Sequence, residues 1–259
     1  DWSSETATWT VDVEVVGTGE RVRYRCNYLS MCSGYYSYRH GHAPEFEGRA
    51  DFAGRIIHPQ QWPEDLEYAG ERVVVIGSGA TAMTLVPALA ATAGHVTMLQ
   101  RSPTYVAAMP DVDPIANGLR RVLPDSWAYA VTRWKNTTLQ QFFYTRMRKN
   151  PDKAKDLLVG RVRKALGDGY DVDAHFTPSY APWDQRLCVV PNGDLFDAIN
   201  AGTASVVTDR IVRFDETGIE LEEGDHLDAD IIVTATGLEM VTLGEVDFVV
   251  DGEPIDFAQ

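Results

Sequence analysis

The sequence predicts an α/β protein organised around one parallel βαβ unit, and three observations support that prediction. Val73-Val74-Val75-Ile76 is a short, unbroken β-branched run, the pattern of a strand covered on both faces. It opens into Gly77-Ser78-Gly79-Ala80-Thr81-Ala82, and Ala80 to Ala93 has helical composition. Val96 to Leu99 is then a second buried strand. Strand, glycine turn, helix and strand thus fall within about thirty residues, the length of a mononucleotide-binding unit.

Taken in order, the chain opens on antiparallel strands. Trp9 to Val15 alternates with period two, Gly17-Thr18-Gly19-Glu20 is a turn, and Arg21 to Tyr24 alternates on the return. Tyr28 to Gly34 is expected as a short strand ending in a small-small-glycine turn. A hairpin is not a stable domain alone, so these strands need a larger sheet. Residues 35–70 have no clear periodicity and read as a structured linker. After the βαβ unit, Pro103 to Pro114 reads as a loop, and Pro87 is expected to kink the helix before it. Ala116–Val122, Trp127–Arg148 and Pro151–Leu166 read as helices. On them Trp127, Trp134, Phe142, Phe143 and Tyr144 are expected as helix-packing aromatics. Residues 167–193 are loop-like apart from a brief strand, Leu187 to Val190. A short helix at Asp194–Asn200, a strand at Ser205–Val207 and a hairpin of Arg210–Phe214 with Gly218–Leu221 follow. Asp230 to Val233 is another buried strand, and Ala235-Thr236-Gly237 closes it as Cys32-Ser33-Gly34 closes the earlier one. The two are expected to bracket the nucleotide unit.

The glycine turn has a definite physical use. Gly77 permits the tight turn, Gly79 lets the backbone approach a pyrophosphate, and Ala82 stands where a third glycine would keep the helix close to the sheet. Ser78, Ala80 and Thr81 complete the turn and the first helical residues, whose unpaired N–H groups and positive dipole end suit phosphate. A purely structural βα turn is the alternative. The end of the second strand bears on the choice of nucleotide. An NAD site would place an acid there, about twenty residues past the glycines. Gln100-Arg101-Ser102 stands there instead. A guanidinium and a hydroxyl suit a 2′-phosphate, which points to NADP(H).

Composition sets bounds. With 259 residues, 44% hydrophobic and 24% charged, the chain has the make-up of an ordinary globular protein of one large or two modest domains. A net charge of −15 argues against nucleic acid or an anionic membrane as partner. Cys26, Cys32 and Cys188 have no metal-ligand or CxxC spacing, and their odd number suits a reducing compartment. No apolar run is long enough for a membrane span and no signal peptide is visible, so a cytoplasmic location is expected. The chain begins at Asp1 rather than methionine and stops at Gln259 without a closing element, as an internal fragment would.

One further segment changes the reading. Phe52-Ala53-Gly54-Arg55-Ile56-Ile57-His58-Pro59-Gln60-Gln61-Trp62-Pro63 by itself is an ordered loop with one histidine. It also matches the pattern Phe-x-Gly-x-x-x-His-x-x-x-Trp-Pro/Asp at Phe52, Gly54, His58, Trp62 and Pro63. With the glycine turn and Asp184-Gln185-Arg186-Leu187-Cys188, the chain resembles the type I Baeyer–Villiger monooxygenases, flavoproteins of the wider flavin monooxygenase group. The likeness spans nearly the whole chain and is least specific over 115–166.

The resemblance implies a Rossmann-type NADP-binding domain with a helical insertion, itself inserted in an FAD-binding domain that is incomplete here. Residues 1–34 would end the first FAD-domain segment and 35–70 form the linker. Residues 71–226 would be the NADP domain, its helical insertion at about 115–166, and 227–259 would begin the return to the FAD domain. The FAD glycine fingerprint has no counterpart in the chain; its expected place precedes Asp1. The implied reaction uses NADPH, FAD and O2. The reduced flavin forms a C4a-peroxyflavin, which delivers one oxygen to a ketone or to the sulfur of a thio-compound. Arg186 matches the family arginine that stabilises negative charge in that reaction, whereas alone it would read as a surface residue. His58 would link domain motion to catalysis. Gln185 stands where relatives often have a lysine near the 2′-phosphate. Trp62 and the hinge residues Ala235, Thr236 and Gly237 would also contact cofactor. Two other readings stay open: a non-catalytic NADP-binding module, and a flavin disulfide reductase, for which the chain lacks a redox cysteine pair.

Overall fold

The structure, a computed structural model, describes residues 1–255. The chain forms two compact units, one made of Asp1–His42 with the segment from Gly237 onward, the other of Ala43–Thr236. The first unit is therefore discontinuous, and the second is inserted within it.

The first unit begins with β1 (Trp2–Ser3), β2 (Thr8–Glu14), β3 (Arg21–Cys26) and β4 (Tyr36–Gly41). The expected hairpin is present: β2 and β3 pair antiparallel from Trp9 opposite Cys26 to Glu14 opposite Arg21. The expected strand at Tyr28–Gly34 does not form. Its tyrosine is exposed, the ladder of β3 stops at Cys26, and Gly34 sits at φ +77°, which breaks an extended run. The next strand starts only at Tyr36.

The inserted unit follows with β5 (Arg55–Ile57), a 3₁₀ turn at Pro59–Gln61, β6 (Arg72–Ile76), α1 (Ala80–Ala90) and β7 (His95–Gln100). Next come β8 (Tyr105–Met109), α2 (Pro114–Val122), α3 (Asp125–Lys149), α4 (Pro151–Leu166) and α5 (Val172–Phe176). The unit closes with β9 (Leu187–Pro191), α6 (Asp194–Asn200), β10 (Ala204–Thr208), β11 (Ile211–Phe214), β12 (Gly218–Leu221), β13 (His226–Asp228) and β14 (Ile231–Thr234). The central sheet has the order β10-β7-β6-β14-β5 and is parallel throughout. Its strands are apolar on both faces because both faces are covered. Val73 and Val75 of β6 belong to one core with Met83 and Val86 of α1, Leu158 of α4 and Leu195 of α6. Val74 and Ile76 belong to a second core with Phe52, and with Phe214, Ile219 and Leu221 of the β11–β13 meander. At the amino ends of β6 and β14, Arg72 donates to both carboxylate oxygens of Asp230 at 2.8 and 3.0 Å and to Asp228 at 2.9 Å.

Three expectations within this unit need correction. Residues 103–114 are not all loop, since β8 pairs parallel with β9 from Tyr105 opposite Leu187 to Met109 opposite Pro191. The stretch 167–193 also contains α5, capped by the Asp171 carboxylate on the Ala174 amide at 3.0 Å. The five aromatics of α3 do not pack in a core: Trp127, Trp134, Phe142, Phe143 and Tyr144 are all exposed, and Ala128 is the buried residue of that helix. They are scattered around the helix circumference rather than aligned on one stripe, so no single packing face can cover them.

The chain then returns to the first unit with β15 (Leu238–Met240), β16 (Phe248–Val250) and β17 (Glu253–Ile255). These complete a sheet of order β17-β16-β1-β2-β3 and a two-stranded ladder of β4 with β15. Where the two segments meet, the His42 amide donates to the Gly237 carbonyl at 3.1 Å.

Candidate functional site

In a parallel sheet the carboxyl ends of all strands lie along one edge, and ligands bind there at the strand that changes direction of winding. That strand is β6, flanked by β7 on one side and β14 on the other. Along this edge stand His58 after β5, Ala235 and Thr236 after β14, the glycine turn after β6, and Arg101 and Ser102 after β7.

The turn is built as a nucleotide site requires. Gly77 has φ +129°, and a β-carbon there would lie 2.5 Å from the Ala235 carbonyl oxygen, so no other residue fits without moving β14. Its amide donates to the Leu99 carbonyl at 2.8 Å, which fixes the turn against β7. Gly79 is the N-cap of α1, and a β-carbon there would meet nothing within 4 Å. That face is open. No side chain caps the helix and no acidic residue lies in its first turn, so the amides of Ala80, Thr81 and Ala82 meet no competing carboxylate. Ala82 is fully buried against the sheet, as its place in the motif demands. These features fit a dinucleotide pyrophosphate.

Arg101 and Ser102 are exposed directly after β7, and the Arg101 guanidinium makes no ion pair among the described residues. Gln100 before them is buried, its amide group donating to the His175 carbonyl at 2.7 Å and to Thr208 Oγ1 at 2.9 Å.

Arg186 is joined to the glycine turn. Its Nη2 donates to Ser78 Oγ at 3.0 Å and its Nε to Thr104 Oγ1 at 2.9 Å. Both hydroxyls are buried. The β8–β9 register explains the contact: Tyr105 faces Leu187, so the preceding residues, Thr104 and Arg186, lie side by side. Thr104 is not identifiable from the sequence because its partner strand is distant in the chain. Behind this cluster Cys188 Sγ lies 3.9 Å from the Ser78 carbonyl, and burial pushes its thiol pKa up while Arg186 pulls the other way. Gln185 is exposed.

The fingerprint segment has structural reasons of its own. Phe52 is buried in the second core. A β-carbon on Gly54 would lie 2.3 Å from the Asp230 carbonyl oxygen, so the glycine is needed for close approach to the start of β14. His58 follows β5 and caps the 3₁₀ turn, its Nδ1 accepting from the Gln60 amide at 3.2 Å. Trp62 packs against the first core, edge-on to Tyr68 with ring centroids 6.5 Å apart. His58 shares the carboxyl edge with the glycine turn, two strands away. Gly237 belongs to the first unit.

That first unit contains no helix of more than one turn among the described residues, so it offers no helix N-terminus to a second pyrophosphate. The described residues therefore do not by themselves build an FAD pyrophosphate cradle. Nor is there a metal-binding group of His, Cys, Asp or Glu among them, or a helix long and apolar enough to cross a membrane.

Comparison with known proteins agrees with this geometry. Residues 1–160 match the model of a family described as flavin-binding monooxygenase-like. The chain is 50% identical to the FAD-containing monooxygenase EthA of Mycolicibacterium smegmatis, the match covering 100% of this chain and 52% of that protein. It is 52% identical to the EthA of Mycobacterium tuberculosis, with 99% and 52% covered. The chain thus spans about half the length of the curated relatives it matches. Among solved structures, a polycyclic ketone monooxygenase from Thermothelomyces thermophila superposes with a TM-score of 0.75 at 18% identity, over 98% of this chain and 50% of that one. An oxidised steroid monooxygenase bound to NADP gives 0.65 at 24%, over 92% and 51%. At these identities the likeness is one of fold.

Proposed function

The chain belongs to the flavin-binding monooxygenase-like family, and from that membership we propose that it is the NADPH-handling part of an FAD-dependent monooxygenase. The whole protein would insert one oxygen atom of O2 into a ketone, or add it to the sulfur of a thio-compound. The inserted unit, Ala43–Thr236, would act as the NADP domain, with Asp1–His42 and the segment from Gly237 onward belonging to the flavin domain.

The observation that carries this reading is the placement of Arg186 on the glycine turn through Ser78. Two of its five N–H donors go to neutral hydroxyls, and it has no carboxylate partner among the described residues. Its charge is positioned but not neutralised. A permanent cation held in this way can stabilise negative charge that develops in a reaction beside the nicotinamide, without rearranging to do so. Gly77 to Ala82 would bind the pyrophosphate, and Arg101 and Ser102 the 2′-phosphate, with Gln185 nearby. His58 and Trp62 on the linker, and Ala235, Thr236 and Gly237 at the return, would bear on cofactor at the hinges. FAD, when bound, supplies the activation of O2.

The test is Arg186→Ala in the full-length protein. Reduction of the bound flavin by NADPH is expected to survive while ester or sulfoxide formation falls by about a hundredfold or more. Oxygenation at the parental rate would refute the role given to Arg186.

A further inference from the structure

The loop that presents Arg186 is held from outside the glycine turn as well. Trp183, three residues before it, has φ +72°, a region that a bulky L-residue enters only under constraint. Such a conformation persists where the surroundings over-determine it, and the surroundings here are the last turns of α3. The Trp183 indole N–H donates to Met147 Sδ at 3.3 Å, and its ring meets the Tyr144 ring edge-on at 5.5 Å and 74°. The Asp184 carboxylate pairs with the Arg148 guanidinium. Tyr144, Met147 and Arg148 are spaced i, i+3, i+4 and so share one face of the helix. On the far side of the loop the Tyr180 hydroxyl donates to the Arg186 carbonyl at 3.0 Å, while the Tyr105 hydroxyl donates to the Tyr180 carbonyl at 2.7 Å. Arg186 is thus fixed by its side chain on Ser78 and Thr104, by its carbonyl on Tyr180, and through Trp183 and Asp184 on α3.

We propose that Trp183 and Asp184 are positioning residues, gripped by the carboxyl-terminal face of α3, that set the direction in which the loop presents Arg186. The helical insertion thereby contributes to the site, because its last turns brace the loop of the catalytic cation. The proposal rests on the role of Arg186 stated above. Neither Trp183 nor Asp184 needs to touch substrate or cofactor for it to hold.

The experiment uses the full-length protein and three readouts: flavin reduction by NADPH, product formed per NADPH consumed, and hydrogen exchange of the amides of Ala181 and of residues 183–187 before any cofactor turnover. In Trp183→Ala, and in Arg148→Glu or Asp184→Arg alone, the loop amides are expected to exchange faster. Product per NADPH should fall by about tenfold with the reduction rate retained, since small displacements of a catalytic group are costly. Combining Arg148→Glu with Asp184→Arg restores an ion pair and should bring both exchange and coupling back to within about twofold of the parent. Parental exchange and coupling in Trp183→Ala, or a charge swap that recovers neither, would overturn the brace. So would an equal loss of reduction and coupling, which marks a general structural defect. Full product formation in Arg186→Ala would instead overturn the reading of Arg186, and the exchange data, which require no turnover, keep the two failures apart.

Discussion

Arg101 and Arg186 both lack a carboxylate partner among the described residues, and they are held in opposite ways. Arg101 is exposed just past β7, its donors uncommitted to any ion pair. Arg186 is clamped by two buried hydroxyls. The first arrangement suits a ligand that arrives with its own charge, and the second suits charge that develops in place. Arg101→Ala is therefore expected to weaken NADPH binding by about ten- to a hundredfold and to leave NADH binding nearly unchanged, because only the former has a 2′-phosphate to lose. Titration of both cofactors against the variant decides it, and an equal loss for the two would refute the assignment. Arg101 is identifiable from its distance past the glycines, a local signal. The Thr104 contact is not, because it depends on strands β8 and β9, which are far apart in the chain and meet only in the folded protein.

Among the elements, the strands of the parallel sheet are the most legible. Val73 to Ile76 and Ile231 to Val233 are apolar at every position because helices cover one face and an antiparallel meander the other. Runs of that kind need no partner to be recognised. β8 is hidden in the sequence because Tyr105 and Val106 are followed by small residues and its ladder is with distant β9. The strand expected at Tyr28–Gly34 fails for the opposite reason: its composition suits a strand, but no ladder partner meets it among the described residues. The amino ends of β6 and β14 are tied by a polar clasp that titrates. The Arg72 guanidinium, hydrogen-bonded to Asp230, lowers that carboxyl from an ordinary 3.8 to about 2. A lowered carboxylate pKa contributes stability above the unfolded value, and that contribution is lost as pH falls through the folded one. Stability should therefore decline as pH drops from 3.8 towards about 2. Asp230→Asn should melt a few degrees lower at neutral pH and show a flatter decline across that window. Thermal melts across the acid range test this, and an unchanged slope in the variant would remove Asp230 from the account.

At the scale of the molecule, one Gly-x-Gly turn leading from a strand into a helix is present among the described residues, and it lies in the inserted unit. The discontinuous unit offers strands but no helix N-terminus among its described residues. Purified residues 1–259 are accordingly expected to bind NADPH and to be colourless. An absorption spectrum suffices, and stoichiometric yellow flavin in that preparation would show that FAD is held without its own glycine turn. The insertion itself is only partly legible. The turn Ala235-Thr236-Gly237 marks the return point, but pairing of β1 with β16, strands of two and three residues at opposite ends of the chain, leaves no periodic trace.

The hydrogen bond from His42 to Gly237 has a kinetic consequence. In the unfolded chain the β4–β15 ladder must close a loop containing the whole of the inserted unit, and the entropy of that closure grows with the logarithm of loop length, about 0.6 kcal/mol for each doubling. Once the inserted unit has folded, its two ends are a fixed distance apart and the effective loop is short. Nascent-chain order favours the same sequence of events, since the inserted unit is complete before Leu238 is synthesised. The host unit thus closes last, after the inserted unit has formed.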